Sequence, residues 1–182
     1  MTEIELVGID ADDTLWQSET FFAEVEEKFT ELMSKYSSDT SLEESLSSNE
    51  ISNLRVFGYG VKSFTLSMIE TAHLASGGNI ASSDIKQIIS WGKELLQHPV
   101  ILLDGVEEAI RELASNFTVY IVTKGDLLHQ RSKIEDSGLD KLVAGFDIFH
   151  EKDPESYLDF LTEKNVDPKN FHQLSQEKKY PL

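Results

Sequence analysis

Apolar positions along this chain change their spacing twice. A short run, Leu6-Val7-Gly8-Ile9, ends abruptly in Asp10-Ala11-Asp12-Asp13. That pattern predicts a buried strand over residues 4–9 breaking into a loop, because an unpaired carboxylate inside the strand would be costly. From residue 17 to about 98 the spacing is helical. Phe21, Phe22, Val25, Phe29, Leu32, Met33 and Tyr36 form one apolar stripe and predict a helix over about 19–36, with most of its acidic residues elsewhere. Residues 37–48, rich in Ser, Asp, Thr and Glu, predict a loop or a weakly formed helix start, followed by a short helix over 49–56. Gly58-Tyr59-Gly60 interrupts the pattern; Phe64, Met68, Ile69 and Ala72 then predict a helix over 61–75, stopped by Gly77-Gly78-Asn79. A last helix of this block starts at Ser83-Asp84, carries Ile85, Ile88, Ile89, Leu95 and Leu96, and ends before His98-Pro99.

Beyond residue 99 helices alternate with strands. The spacing predicts a helix over 106–114, a buried strand over 118–122, a helix over 126–137, a short strand over 147–149 and a helix over 154–164. Phe171 to Ser175 can begin a further strand. Such alternation implies a parallel sheet with helical crossovers. The fold class is therefore α/β: a Rossmann-like parallel-sheet core from residues 1–16 and 99–182, interrupted by an all-helical insertion over 17–98.

Composition narrows the function classes. The 182 residues include 33 acidic and 16 basic side chains, a formal charge of −17, which opposes nucleic acid and anionic membranes by repulsion. A small diffusible substrate fits better, and an anionic one needs a local positive site. Without cysteines there are no disulfides and no thiolate metal sites. No apolar run approaches the ~20 residues of a membrane span, and no signal-peptide pattern opens the chain, so the expected location is cytoplasmic.

The candidate chemistry gathers at strand ends. In a parallel sheet the C-terminal edge is where ligands bind. Asp10 and Asp12 are two apart, so continued extended geometry would turn both side chains the same way, toward one cation or one reacting group. The simpler reading of Asp12-Asp13-Thr14 is a turn or helix cap. The second strand ends in Thr123-Lys124-Gly125-Asp126, bringing a hydroxyl, turn amides and a helix N-terminus to the same edge, a combination that can hold phosphate. A threonine there is also a common turn residue. The third strand ends in His150-Glu151-Lys152-Asp153-Pro154, where Lys152 can offset charge in a phosphoryl transition state. The five histidines show no metal-ligand spacing.

Asp10-x-Asp12-x-Thr14-Leu15 after an apolar strand resembles the first motif of the haloacid dehalogenase-like hydrolases, most of which are magnesium-dependent phosphatases. The strand ending in Thr123 resembles the second motif, and Lys152-x-Pro154 opening a helix resembles the third. The resemblance covers residues 4–16 and 99–175 and places the helical block where this family carries its cap. It implies that Asp10 attacks phosphorus to form an aspartyl-phosphate, while Asp12 protonates the leaving oxygen and later activates water. It further implies phosphate binding by Thr123, Lys124 and Lys152, and Mg2+ held by the Asp10 carboxylate and the Asp12 backbone carbonyl. The implied substrate is a small phosphorylated metabolite; an acid at Asp12 favours it over a carbon–halogen bond, which has no leaving oxygen to protonate. Tyr59 and Lys62 could reach a substrate from the cap, although packing and exposure are the simpler roles. Trp16 is expected to pack at the cap hinge.

The fourth motif departs from the pattern. That family has a further strand ending in Gly-Asp or Gly-Asn with acidic residues beyond it, whereas here no Asp follows Asp167 and Glu177 is the nearby carboxylate. The expectation is a core incomplete at its C-terminal part, with a sheet edge open to pairing. The alternative function is a catalytically impaired relative that binds a phosphorylated ligand or a partner without turnover.

Overall fold

The computed structural model describes residues 4–37 and 41–175. In chain order its strands and α-helices are β1 (Leu6–Ile9), α1 (Glu19–Met33), α2 (Leu42–Phe57), α3 (Val61–Ala75), α4 (Ser82–Leu96), α5 (Val106–Asn116), β2 (Thr118–Lys124), α6 (Leu127–Ser137), β3 (Gly145–Phe149), α7 (Pro154–Lys164) and β4 (Phe171–Leu174). They divide into two compact units, one taking Met1–Ser18 with Pro99–Leu182 and the other Glu19–His98. The first crossing thus falls two residues later than the sequence suggests, after Ser18.

The first unit is an α/β layer structure. Its sheet has the order β3-β2-β1-β4, every pair parallel, with Leu6 opposite both Thr118 and Phe171. Alternation along the strands sorts side chains to two faces. Val7, Ile9, Val119 and Ile121 pack with Ile110 of α5 and Ile134 of α6, while Leu6, Tyr120 and Val122 pack with Phe160 and Leu161 of α7. All four β1 residues are buried, as a central parallel strand covered on both faces requires. Gly8 is forced by close packing: a Cβ there would sit 2.6 Å from Gln173 Oε1 and 2.8 Å from Phe171 Cζ, both on β4.

Two strands are longer than the sequence suggests. β2 runs on through Thr123 to Lys124, paired with Ile148 and Phe149, and β3 starts at Gly145, whose missing side chain leaves space for the Tyr120 ring. β4 forms where Phe171 to Ser175 predicted it, as the neighbour of β1. Glu177 and the tail after Ser175 lie outside the described residues.

The second unit is a helical cluster around Phe29, Met33, Met68, Ala72 and Ile88, each fully buried. Helix α2 begins at Leu42, so from there to residue 48 the helix start, not the loop, is realised and joins the helix expected over 49–56. Leu42 and Leu46 are buried, and the same face continues through Asn49 and Asn53, which hydrogen-bond across to α3. Asn49 donates to Thr71 Oγ1 at 2.8 Å; Asn53 donates to Ser67 Oγ at 3.1 Å and Glu70 Oε2 at 2.9 Å. Two polar residues therefore complete a stripe whose apolar half is too short to announce a helix. Helix α1 stops at Met33, and Tyr36, placed in that helix by its spacing, lies in the turn beyond it. Its hydroxyl donates to Asp84, which also pairs with Lys35 at 2.8 Å.

Between α1 and α2 this unit has an acidic groove of about 840 Å³ lined by Glu26, Glu27, Glu31, Glu43 and Glu50. Burial, followed by the charge of Glu26, pushes the Glu50 carboxyl up to about 7. Glu26 is itself raised by burial and by Glu43 and Glu19. Among the described residues no helix is long and apolar enough to cross a membrane.

Candidate active site

Extended geometry ends with β1. Beyond Ile9 the Asp10 N–H donates to Leu174 O at 2.8 Å, and the chain then turns: the amides of Thr14 and Leu15 both reach Ala11 O, at 3.1 and 2.7 Å. Asp13 takes φ 57°, a left-handed conformation that aspartate tolerates better than most residues, and its carboxylate accepts from Ser18 N at 2.9 Å. The expectation that Asp10 and Asp12 project alike from a continuing strand is thereby corrected. Each carboxylate has its own lysine.

Asp10 Oδ1 accepts from Lys152 Nζ at 2.5 Å and from the Ala11 amide at 2.8 Å. Lys152 reaches it from the loop between β3 and α7, where Asp153 caps α7 by accepting from Ser156 N at 2.8 Å and Pro154 supplies the first helical residue. The Asp153 carboxyl is lowered by its hydrogen bonds from Ser156, the backbone amide first and the hydroxyl second. Tyr157, one turn into α7, packs on Phe149 and Phe171, and its hydroxyl is raised first by burial and then by the Asp10 charge. Asp10 therefore stands at the α7 side of the sheet edge.

Asp12 turns to α6. Its Oδ1 accepts from Trp16 Nε1 at 2.8 Å and Lys133 Nζ at 2.5 Å, and its Oδ2 accepts from Gln130 Nε2 at 2.6 Å. Burial by itself would raise this carboxyl, but the Lys133 charge and the bonds from Lys133, Gln130 and Trp16 outweigh it and hold Asp12 below the ordinary range. Gln130 and Lys133 carried no motif signal. Their trace in the sequence is positional: both lie on the helix that follows Thr123-Lys124-Gly125, and Gln130 shares the buried stripe with Ile134. Trp16 packs in the core at 1% exposure, and it also serves the site through its indole N–H.

The second strand end is built by Gly125. Its φ of 138° suits glycine, and a Cβ there would lie 3.1 Å from Gln130 Nε2. Asp126 then caps α6, accepting from His129 N at 3.0 Å. Thr123 sits at this edge with 1% exposure, level with Ile148 of β3. Lys124 pairs with Glu151 at 2.8 Å, so this proposed phosphate ligand is already held by a carboxylate that sequence reasoning left without a role. Tyr59 and Lys62 belong to the other unit, at the start of α3.

The donors available to a divalent cation are hard oxygens. Asp10 Oδ2 and the Asp12 backbone carbonyl accept no hydrogen bond within the described residues. That pair fits Mg2+, which takes one or two protein oxygens and leaves its other positions to water and phosphate. Among the described residues no three His, Asp or Glu side chains gather into a metal cluster.

The C-terminal edge of the parallel sheet thus gathers an Asp-x-Asp loop, a threonine and a lysine, the arrangement expected of a haloacid dehalogenase-like core. The model of the haloacid dehalogenase-like hydrolases matches residues 4–174, and the chain belongs to that family. A haloacid dehalogenase-like family hydrolase from Xanthomonas campestris is 40% identical with a TM-score of 0.88, over 96% of this chain and 75% of that one. The fold is shared at lower identity by YfnB from Bacillus subtilis, crystallised with magnesium (18%, TM-score 0.64, 94% and 79% covered). It is shared too by a predicted phosphoglycolate phosphatase from Haemophilus somnus (17%, TM-score 0.60, 95% and 77% covered). Haloacid dehalogenases are also among the structural matches. The search of curated proteins gave no match.

Proposed function

We propose that this chain is a magnesium-dependent phosphatase that hydrolyses a small phosphorylated metabolite through an aspartyl-phosphate. The observation that carries the reading is the Asp12 carboxylate, gripped by Trp16, Gln130 and Lys133 two residues from the nucleophile. Cleaving a carbon–halogen bond releases a halide, which takes no proton, whereas cleaving a phosphate ester releases an oxygen that does. A carboxylate so heavily supported at this position suits the second reaction.

In this mechanism an Asp10 oxygen bonds to phosphorus as the ester P–O bond breaks, and the alcohol oxygen leaves with a proton from Asp12. Asp12, again ionised, then takes a proton from the water that attacks the aspartyl-phosphate, releasing inorganic phosphate and restoring Asp10. The depressed pKa of Asp12 suits the second, basic half; the first half draws on a proton taken up before the ester breaks. In this reading Lys152, Thr123 and Lys124 bind the phosphoryl oxygens, Lys124 from its ion pair with Glu151. Three lysines here are matched by three carboxylates, Lys124 with Glu151, Lys133 with Asp12 and Lys152 with Asp10. An entering phosphate therefore adds uncompensated negative charge, which favours a cation held by Asp10 and the Asp12 carbonyl. The chemistry supplied by bound Mg2+ is neutralisation of that charge.

Parallel assays test the assignment: phosphate release from a panel of sugar and alkyl phosphates with Mg2+, and halide release from 2-haloacids. Phosphate without halide is expected. Halide release that needs no magnesium would overturn it.

A further inference from the structure

We propose that Lys133 and Gln130 are positioning residues that aim Asp12 at the leaving-group oxygen, an inference that rests on the phosphatase reading. A carboxylate offers about four acceptor positions. Trp16 and Lys133 take the two on Oδ1, and Gln130 takes one on Oδ2, so a single position on Oδ2 is left for the reacting oxygen.

The clamp is built at some cost. The Gln130 amide places its hydrogens on Asp12 Oδ2 at 2.6 Å and on Lys124 O at 3.0 Å, while its Oε1 is buried with no partner among the described residues. Turning the amide over would satisfy neither acceptor, so its orientation is set by Asp12 and Lys124. The glycine at 125 is what makes space for it. Lys133 is 13% exposed and lies 5.7 Å above the Trp16 ring, so its stem packs against the indole that holds the same carboxylate oxygen. Three side chains brought from residue 16 and from one face of α6 thus restrain one carboxylate, without touching Asp10.

A group that acts by aiming the proton donor has a recognisable kinetic mark. Phenolate needs protonation far more than p-nitrophenolate, so misaiming Asp12 penalises phenyl phosphate more than p-nitrophenyl phosphate. In Lys133→Met the kcat for phenyl phosphate is expected to fall at least about tenfold more than that for p-nitrophenyl phosphate, with KM little changed. Lys133→Arg should recover most of the loss, and Gln130→Met should show the same leaving-group dependence if Lys133→Met does not fold. Equal losses on both esters, or no loss, would overturn the proposal. Hydrolysis of neither ester by the unaltered protein would instead count against the phosphatase reading. Positioning is then read from the Trp16 indole N–H resonance, one of two in the chain. A shifted Trp16 signal in Lys133→Met supports the clamp, and an unmoved one refutes it.

Discussion

Glu50→Gln should stabilise this protein at neutral and alkaline pH and leave it unchanged in acid. Glu50 lines the groove between α1 and α2 opposite Glu26, and its carboxyl is raised from 4.5 to about 7 by burial and by that charge. A folded-state pKa above the unfolded value means that the native state binds the extra proton between those pH values, so stability falls as pH rises through the window. At about 1.36 kcal/mol per pKa unit the full shift would be worth about 3.4 kcal/mol. Glu50 is only partly buried, and solvent screening reduces this to roughly 1–2 kcal/mol. Glutamine keeps the shape and removes the ionisation. Thermal melts of both proteins should coincide near pH 4.5 and separate by roughly 3–5 °C at pH 8, the variant melting higher. A pH-independent difference, or a variant less stable at pH 8, would refute the assignment of the strain to Glu50 ionisation.

Three substitutions probe the core and the site. Gly8→Ala drives a methyl into Gln173 and Phe171 and should cost about 1–3 kcal/mol, with faster amide exchange on β4 than on β2. Gly125→Ala combines an unsuitable φ with displacement of Gln130 from Asp12; a loss of about 1–3 kcal/mol in denaturant melts should accompany a fall in kcat. Phe29→Ala empties the centre of the helical unit, where Phe29 is fully buried, and should cost about 3–5 kcal/mol by the same melts.

The parallel sheet and most helices were legible because their residues signal locally: Leu6 to Ile9 against Asp10, the Phe64–Met68–Ala72 stripe, and Pro154 opening α7 behind Asp153. Where the signal was not apolar it failed. Helix α2 completes its buried face with Asn49 and Asn53, whose value lies in partners on α3 that periodicity cannot see. The motif residues Asp10, Asp12, Thr123 and Lys152 were visible as strand ends, but the clamp on Asp12 spans more than a hundred residues of chain to Gln130 and Lys133. Nothing in Gln130 or Lys133 alone marks them. Lys124 shows the converse: its position suggested a phosphate ligand, while its charge is matched by Glu151, a neighbour only once β2 and β3 are paired.

The most direct test of the central claim is hydrolysis of a phosphate monoester with and without Mg2+ by this chain and by Asp10→Asn. Magnesium-dependent turnover that drops to background in a variant with an unchanged melting profile is the predicted result. Equal rates for the two proteins, or no turnover by the folded, magnesium-supplied chain, would contradict it.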